Sequence, residues 1–300
     1  MPETETYPIQ EFLNYLTFQK RYSRHTIISY QNDLSSFFDF IIAEYNFLSL
    51  PEISPAIVRS WLAVLKGNKS APKTINRKIS SLKSFFKYQL KTKRVSLSPM
   101  AVINSVKINK RLPSFIEKKD INNLFQNVDF PDTWEGKTGH LILKIFYSTG
   151  IRLSELVNLK SSHVDNSSAV IKVLGKGNKE RILPVNNKLL AEIQDYNAAK
   201  KVLLPDISSG FLVVNKKGKK LYARYVYRIV KEYLAKVSTN ERKSPHVLRH
   251  TFATHLTNNG AEINAIKELL GHSSLASTQI YTHNSIKKLK DIHKLSHPKS

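Results

Sequence analysis

"SPHVLRHTFATHLTNNG", residues 244–260, reads as one capped helix. Ser244 suits the N-cap, Pro245 the first helical position, and Gly260 the stop. Leu248, Phe252 and Leu256 recur every four residues and give this helix a buried stripe. His246 lies three residues before Arg249 and four before His250, so two imidazoles and a guanidinium crowd one end of one face. A zinc-hydrolase helix of the H-E-x-x-H kind needs a glutamate after its first histidine, and Val247 stands there instead. His255, five residues past His250, is turned to the opposite side.

Charge indicates what such a cluster meets. The 300 residues carry 47 Lys and Arg against 23 Asp and Glu, a formal net charge of +24. The excess is spread along the chain: 15 basic against 7 acidic residues up to 107, and 32 against 16 after it. A basic surface of this extent is the footprint expected for a phosphate-backbone partner. Cysteine is absent, which excludes disulfides and cysteine zinc sites. "MPETETYPIQ" lacks the basic and apolar regions of a secretory signal. "LILKIFY", the longest apolar run, carries a lysine and is too short for a bilayer. The expectation is a cytoplasmic protein with no membrane partner.

The predicted fold is mainly α with a small β-sheet, in two domains. Residues 1–106 read as four helices. Ile9, Phe12, Leu13 and Leu16 mark the first, and the second begins near Ser23. "SPAIVRSWLAVL" opens on Ser54 and Pro55, and "APKTINRKISSLKSFFKYQL" buries Ile75, Ile79, Leu82 and Phe86. Lys73, Arg77, Ser81 and Ser84 fall on the other side of that last helix, as candidate DNA contacts. Residues 107–113 are basic, broken by Pro113, and read as a linker to a domain spanning 114–300. There "KTGHLILKIFYSTG" is helical up to Gly150, and "AVIKVLGKGNKERILPV" is a hairpin. "FLVVNKKGKKL" looks like a second, shorter hairpin or edge segment, with helices from there to the end.

Two further stretches complete a chemical set. In "STGIRLSEL" Arg152 follows Gly150 near a helix start, and Glu155, three residues on, is placed to hold its fork. Two arginines present planar, permanently charged donors matched to both non-bridging oxygens of a phosphodiester. They also oppose the charge that builds in a pentacoordinate transition state. In "LGHSSLASTQIYTH" His272 follows Gly271, and Tyr281 comes nine residues later. A tyrosine hydroxyl titrates near ~10 and needs nearby cations to act as a nucleophile.

An arginine, a hairpin lysine, H-x-x-R-H, G-H and then a tyrosine, in that order, resemble the tyrosine recombinase (phage integrase) family. "FLNYLTFQKRYSRHTIISYQNDLSSFFDFI" and "RLPSFI" extend the likeness to the Xer recombinases within it, over essentially the whole chain. The resemblance implies an N-terminal four-helix, SAM-like core-binding domain and a C-terminal α+β catalytic domain, together clamping DNA. It implies that Arg152 and Arg249 grip the scissile phosphate and that Lys176 protonates the leaving 5′-oxygen. His246 and His272 would assist proton transfer and bind phosphate. Tyr281 would attack to form a 3′-phosphotyrosyl bond, with Glu155 and His250 in support. The implied activity is site-specific cutting and rejoining of DNA through a Holliday junction, as in chromosome dimer resolution at cell division. That linkage conserves bond energy, so no metal or nucleotide cofactor is expected, and "GKGNK" lacks the spacing of a Walker loop.

The partners implied are double-stranded DNA with a specific site, a homo- or hetero-tetramer of recombinases on two duplexes, and an activating DNA translocase. Ile286, Leu289, Ile292 and Leu295 form an apolar stripe on a basic tail; the family places such a segment on a neighbouring protomer. An integrase or transposase of a mobile element would share every catalytic residue. A non-catalytic DNA-binding protein would share the charge but have no need of Tyr281 and both arginines.

Overall fold

The computed structural model describes residues 7–108, 114–175, 180–204 and 209–271. The chain forms two compact units, Met1–Arg111 and Leu112–Ser300. No helix among the described residues is long and apolar enough to cross a membrane.

Local signals in the sequence account for the N-terminal unit. Helix α1 (Ile9–Asn14) runs on through a π-helical stretch, Tyr15–Gln19. Helix α2 (Arg24–Tyr45) is capped by the Ser23 hydroxyl, which accepts from the Thr26 amide. Helix α3 (Pro55–Gly67) has Ser54 as its cap and Pro55 at its first position, where the missing N–H costs nothing. Helix α4 (Pro72–Lys91) opens on Pro72. The four pack around Phe12, Phe37, Trp61, Phe85 and Phe86, all buried. Phe12 meets Phe85 edge-on at 5.5 Å between ring centroids, and the Trp61 indole donates to the Ser36 carbonyl at 3.2 Å.

One expected surface residue of α4 is not on the surface. Ser81 is buried, and its hydroxyl donates to Asp33 of α2 at 2.8 Å. The same carboxylate takes a hydrogen bond from Arg77, and Arg77 also donates to Ser29 at 2.8 Å. Helix α2 packs along that edge of α4, so Ser81 solvates a buried acid. Ser84 is half-buried and pairs with the Tyr30 hydroxyl at 3.2 Å. Lys73 and Arg77 remain exposed.

The C-terminal unit is built on α6 (Trp134–Thr149), whose last nine residues, Leu141–Thr149, are all buried. Helix α5 (Lys118–Gln126) precedes it. A short helix α7 (Leu153–Val157) follows, across Gly150. Strands β1 (Val164–Asp165), β2 (Val170–Leu174) and β3 (Glu180–Pro184) form an antiparallel sheet in that order. In its register Ile171 faces Leu183 and Val173 faces Arg181. "FLVVNKKGKKL" makes only two isolated bridges, Lys160 with Phe211 and Val214 with Lys220, around a turn with Gly218 at φ 68°. Helices α8 (Asn187–Leu203), α9 (Ala223–Val237), α10 (Pro245–Asn258) and α11 (Ile263–Leu270) complete the described part. Helix α10 lies against α6, and α11 touches both α10 and β3.

Candidate active site

Helix α10 begins as its sequence dictates. The Ser244 hydroxyl accepts from the Val247 amide, Pro245 takes the first position, and Leu248, Phe252 and Leu256 are buried. That docking sends Arg249 inward, where it is 6% exposed. Its Nη1 donates to the Gly150 carbonyl at 2.6 Å and its Nη2 to the Leu270 carbonyl at 2.5 Å. His246 is exposed and His250 half-buried on the same helix. Burial, and then the charge of His246, lowers the pKa of His250 and favours its neutral form.

Arg152 is the N-cap of α7, placed there by Gly150, which ends α6 in the left-handed conformation at φ 60°. Glu155 closes the first turn of α7. Its Oε2 accepts from the Arg152 amide at 2.8 Å and its Oε1 from Arg152 Nη1 at 2.8 Å. Arg152 Nη2 reaches the Gly271 carbonyl at 2.7 Å. The carboxylate holds the arginine fork, and it also neutralises a second arginine.

That second partner is Arg181 of β3, which sequence reasoning passed over. It is 4% exposed, and its Nη1 and Nη2 donate to the two oxygens of Glu155 at 2.6 and 2.7 Å. Its Nε donates to the Leu269 carbonyl at 2.9 Å. A signal existed: strand alternation puts Arg181 on the same face as Leu183, and a charge on a buried strand face requires a partner.

Three guanidiniums thus meet the three successive carbonyls that end α11: Arg181 at Leu269, Arg249 at Leu270 and Arg152 at Gly271. The last carbonyls of a helix have no partner within it and carry the negative end of its dipole, so cations are favoured there. Gly271 is left-handed at φ 61°, and a Cβ there would lie 3.0 Å from the Arg181 side chain.

The electrostatics of the cluster are dominated by positive charge. Burial alone would raise the Glu155 carboxyl, but the hydrogen bonds and charges of Arg181 and Arg152 outweigh it and hold the group at about 2. Burial, and then the like charges of Arg152 and Arg181, brings Arg249 down to about 10 against the pull of Glu155, so it stays charged at neutral pH. Three cations and one carboxylate leave an anion-seeking surplus. Beside it opens a cleft of about 480 Å³ lined by Arg152, Glu155, His163, Val173 and Gly175 among others. Lys176, His272 and Tyr281 lie outside the described residues.

A helical unit is thus followed by an α+β unit that gathers three arginines round one carboxylate, an arrangement suited to an anionic substrate. Residues 9–93 match the phage integrase N-terminal SAM-like domain and residues 114–288 the phage integrase family, and the chain belongs to that family. Tyrosine recombinase XerC of Thermodesulfovibrio yellowstonii is 39% identical over 100% of this chain and 99% of its own. Tyrosine recombinase XerC of Halalkalibacterium halodurans is 36% identical over 97% of each. Among solved structures, the XerH recombinase bound to a palindromic difH substrate superposes with a TM-score of 0.72. It has 22% identity and covers 94% of this chain and 83% of that one. The Tn1549 transposon integrase in complex with circular intermediate DNA gives 0.71 at 19% identity, covering 95% and 99%. The chain is a site-specific tyrosine recombinase of the Xer type.

Proposed function

We propose that this recombinase cuts and rejoins double-stranded DNA at a specific site through a covalent bond to Tyr281. Arg152 and Arg249 clamp the two non-bridging oxygens of the scissile phosphate and neutralise the charge gained as phosphorus becomes pentacoordinate. The Tyr281 oxygen attacks phosphorus, the 5′-oxygen departs with a proton supplied by Lys176, and a 3′-phosphotyrosyl linkage remains. A 5′-hydroxyl from a second duplex attacks that linkage in the reverse sense, so the number of phosphodiesters is unchanged. His246 and His272 assist the proton transfers, and His250 supports the end of α10 from which His246 and Arg249 act.

The observation that carries this proposal is the convergence of Arg152 and Arg249 on the end of α11, one residue before His272. The role inferred is resolution of chromosome dimers, in the cytoplasm, by a tetramer of recombinases on two duplexes with a DNA translocase as activator; full-length likeness to proteins named XerC supports its recombinase part. The apolar stripe Ile286, Leu289, Ile292 and Leu295 is assigned to the contact between protomers.

The test is a supercoiled plasmid carrying two copies of a site selected by this protein from random-sequence DNA. The native chain, alone or with its companion recombinase, resolves it into two circles. Arg249→Ala binds the sites but leaves the plasmid intact, with cleavage down by about 10²-fold or more. Resolution by Arg249→Ala at the native rate would contradict the assignment.

A further inference from the structure

Arg181 has no part in the reaction as written above, yet it is the most completely bonded side chain of the cluster. All three of its nitrogens donate to protein: Nη1 and Nη2 to the two oxygens of Glu155, Nε to the Leu269 carbonyl. With Nη1, Nη2 and Nε all engaged by Glu155 and Leu269, contact with a substrate phosphate is not its task. Its two partners lie on separate elements, α7 and α11, each of which bears on a phosphate clamp. Through Glu155 it fixes Arg152, whose amide and Nη1 bond the same carboxylate. Through Leu269 it fixes the turn whose next carbonyl takes Arg249.

Physical chemistry separates this arrangement from a plain buried ion pair. Glu155 already has one cation in Arg152, so neutralising its charge does not require a second. A bidentate fork adds geometry, because it sets both the plane and the direction of the carboxylate. With Arg181 present, the Glu155 oxygens are aimed, and Arg152 is aimed by them. Without it, the carboxylate is free to turn toward Arg152 and draw that fork away from the phosphate.

We propose that Arg181 is a positioning residue for strand cleavage, joining β3 to α7 and α11 so that Arg152 and Arg249 are presented to one phosphate together. The inference rests on the assignment of Arg152 and Arg249 as clamps.

The experiment measures single-turnover cleavage of a nicked duplex bearing the selected site, with duplex affinity and thermal midpoint measured alongside. Arg181→Lys keeps the charge and loses the fork, and Arg181→Met removes both. Each is expected to bind DNA nearly as the native chain does and to cleave about 10²-fold more slowly, the cost of a misplaced clamp. Adding Arg181→Met to Arg152→Ala is expected to slow cleavage by clearly less than Arg181→Met does in the native chain, because the part acting through Arg152 is already lost and only the part acting through Arg249 remains. On a duplex whose scissile phosphate is a methylphosphonate, one negative oxygen is gone, and Arg181→Lys is expected to recover most of the lost rate. A residue that only stabilises the fold would leave the same defect on both substrates.

Equal defects on the two substrates, or native cleavage by Arg181→Lys, would overturn the inference. Native cleavage by Arg152→Ala would overturn the clamp assignment and the inference with it. Loss of Arg152→Ala activity with an unaffected Arg181→Lys would overturn the inference alone.

Discussion

At the scale of the residue, Glu155 carries the largest electrostatic consequence. Its carboxyl is held at about 2, against an ordinary value of about 4.3 in an unfolded chain. A depressed folded-state pKa stabilises the protein above the unfolded value, and that contribution disappears as pH falls from about 4 through 2. The difference corresponds to roughly 3 kcal/mol. Urea unfolding at pH 6 and pH 2.5 is therefore expected to show a smaller acid loss for Glu155→Gln than for the native chain. Equal acid losses would contradict the burial and pairing of this carboxylate.

The facing of α10 was legible from sequence because its signals are local: a cap, a proline and a four-residue apolar repeat decide which side is buried. Arg181 was not, because its partners lie 26 and 88 residues away and only the fold joins them. Ser81 failed for a related reason. Helical spacing assigns it to the polar side of α4, but the position of α2 decides which polar residues meet water and which meet Asp33.

At the scale of elements, the joint between α6 and α7 sets the site. Gly150 at φ 60° ends one helix and starts the turn into the other, and its carbonyl accepts from Arg249. A Cβ there would lie 2.5 Å from Phe252 and 2.9 Å from Leu270, in a backbone conformation that side chains disfavour. Gly150→Ala is expected to cost about 1–3 kcal/mol and to slow cleavage as the Arg249 acceptor shifts. A thermal midpoint and cleavage rate equal to the native values would contradict this joint. The hairpin and the αL stops at Gly150 and Gly271 were readable because turns and caps are written in a few adjacent residues. The segment 211–221, read as a short hairpin or edge segment, folds back on itself only at the Val214–Lys220 bridge, and the two-residue β1 was passed over because so short a pairing with β2 leaves no alternating pattern to read.

At the scale of the whole molecule, binding and chemistry are expected to separate between the two units. Arg77 is exposed and anchored by Asp33, and Lys73 stands one turn before it. Arg77→Ala and Lys73→Ala are expected to weaken duplex binding and lower the slope of log affinity against log salt by about 0.9 for each phosphate no longer neutralised. Cleavage of bound DNA should change little, the reverse of Arg249→Ala. Identical profiles for the variants of both units would refute that division.

In the proposed reaction this basic, arginine-lined site carries a tyrosine–phosphate bond. The direct measurement is to trap the native chain on a nicked duplex carrying the selected site, digest the adduct with protease, and identify by mass spectrometry the side chain that holds the nucleotide. A 3′-phosphate ester on Tyr281, absent from Tyr281→Phe, is the expected result. An adduct on another residue, or one that persists in Tyr281→Phe, would contradict the account.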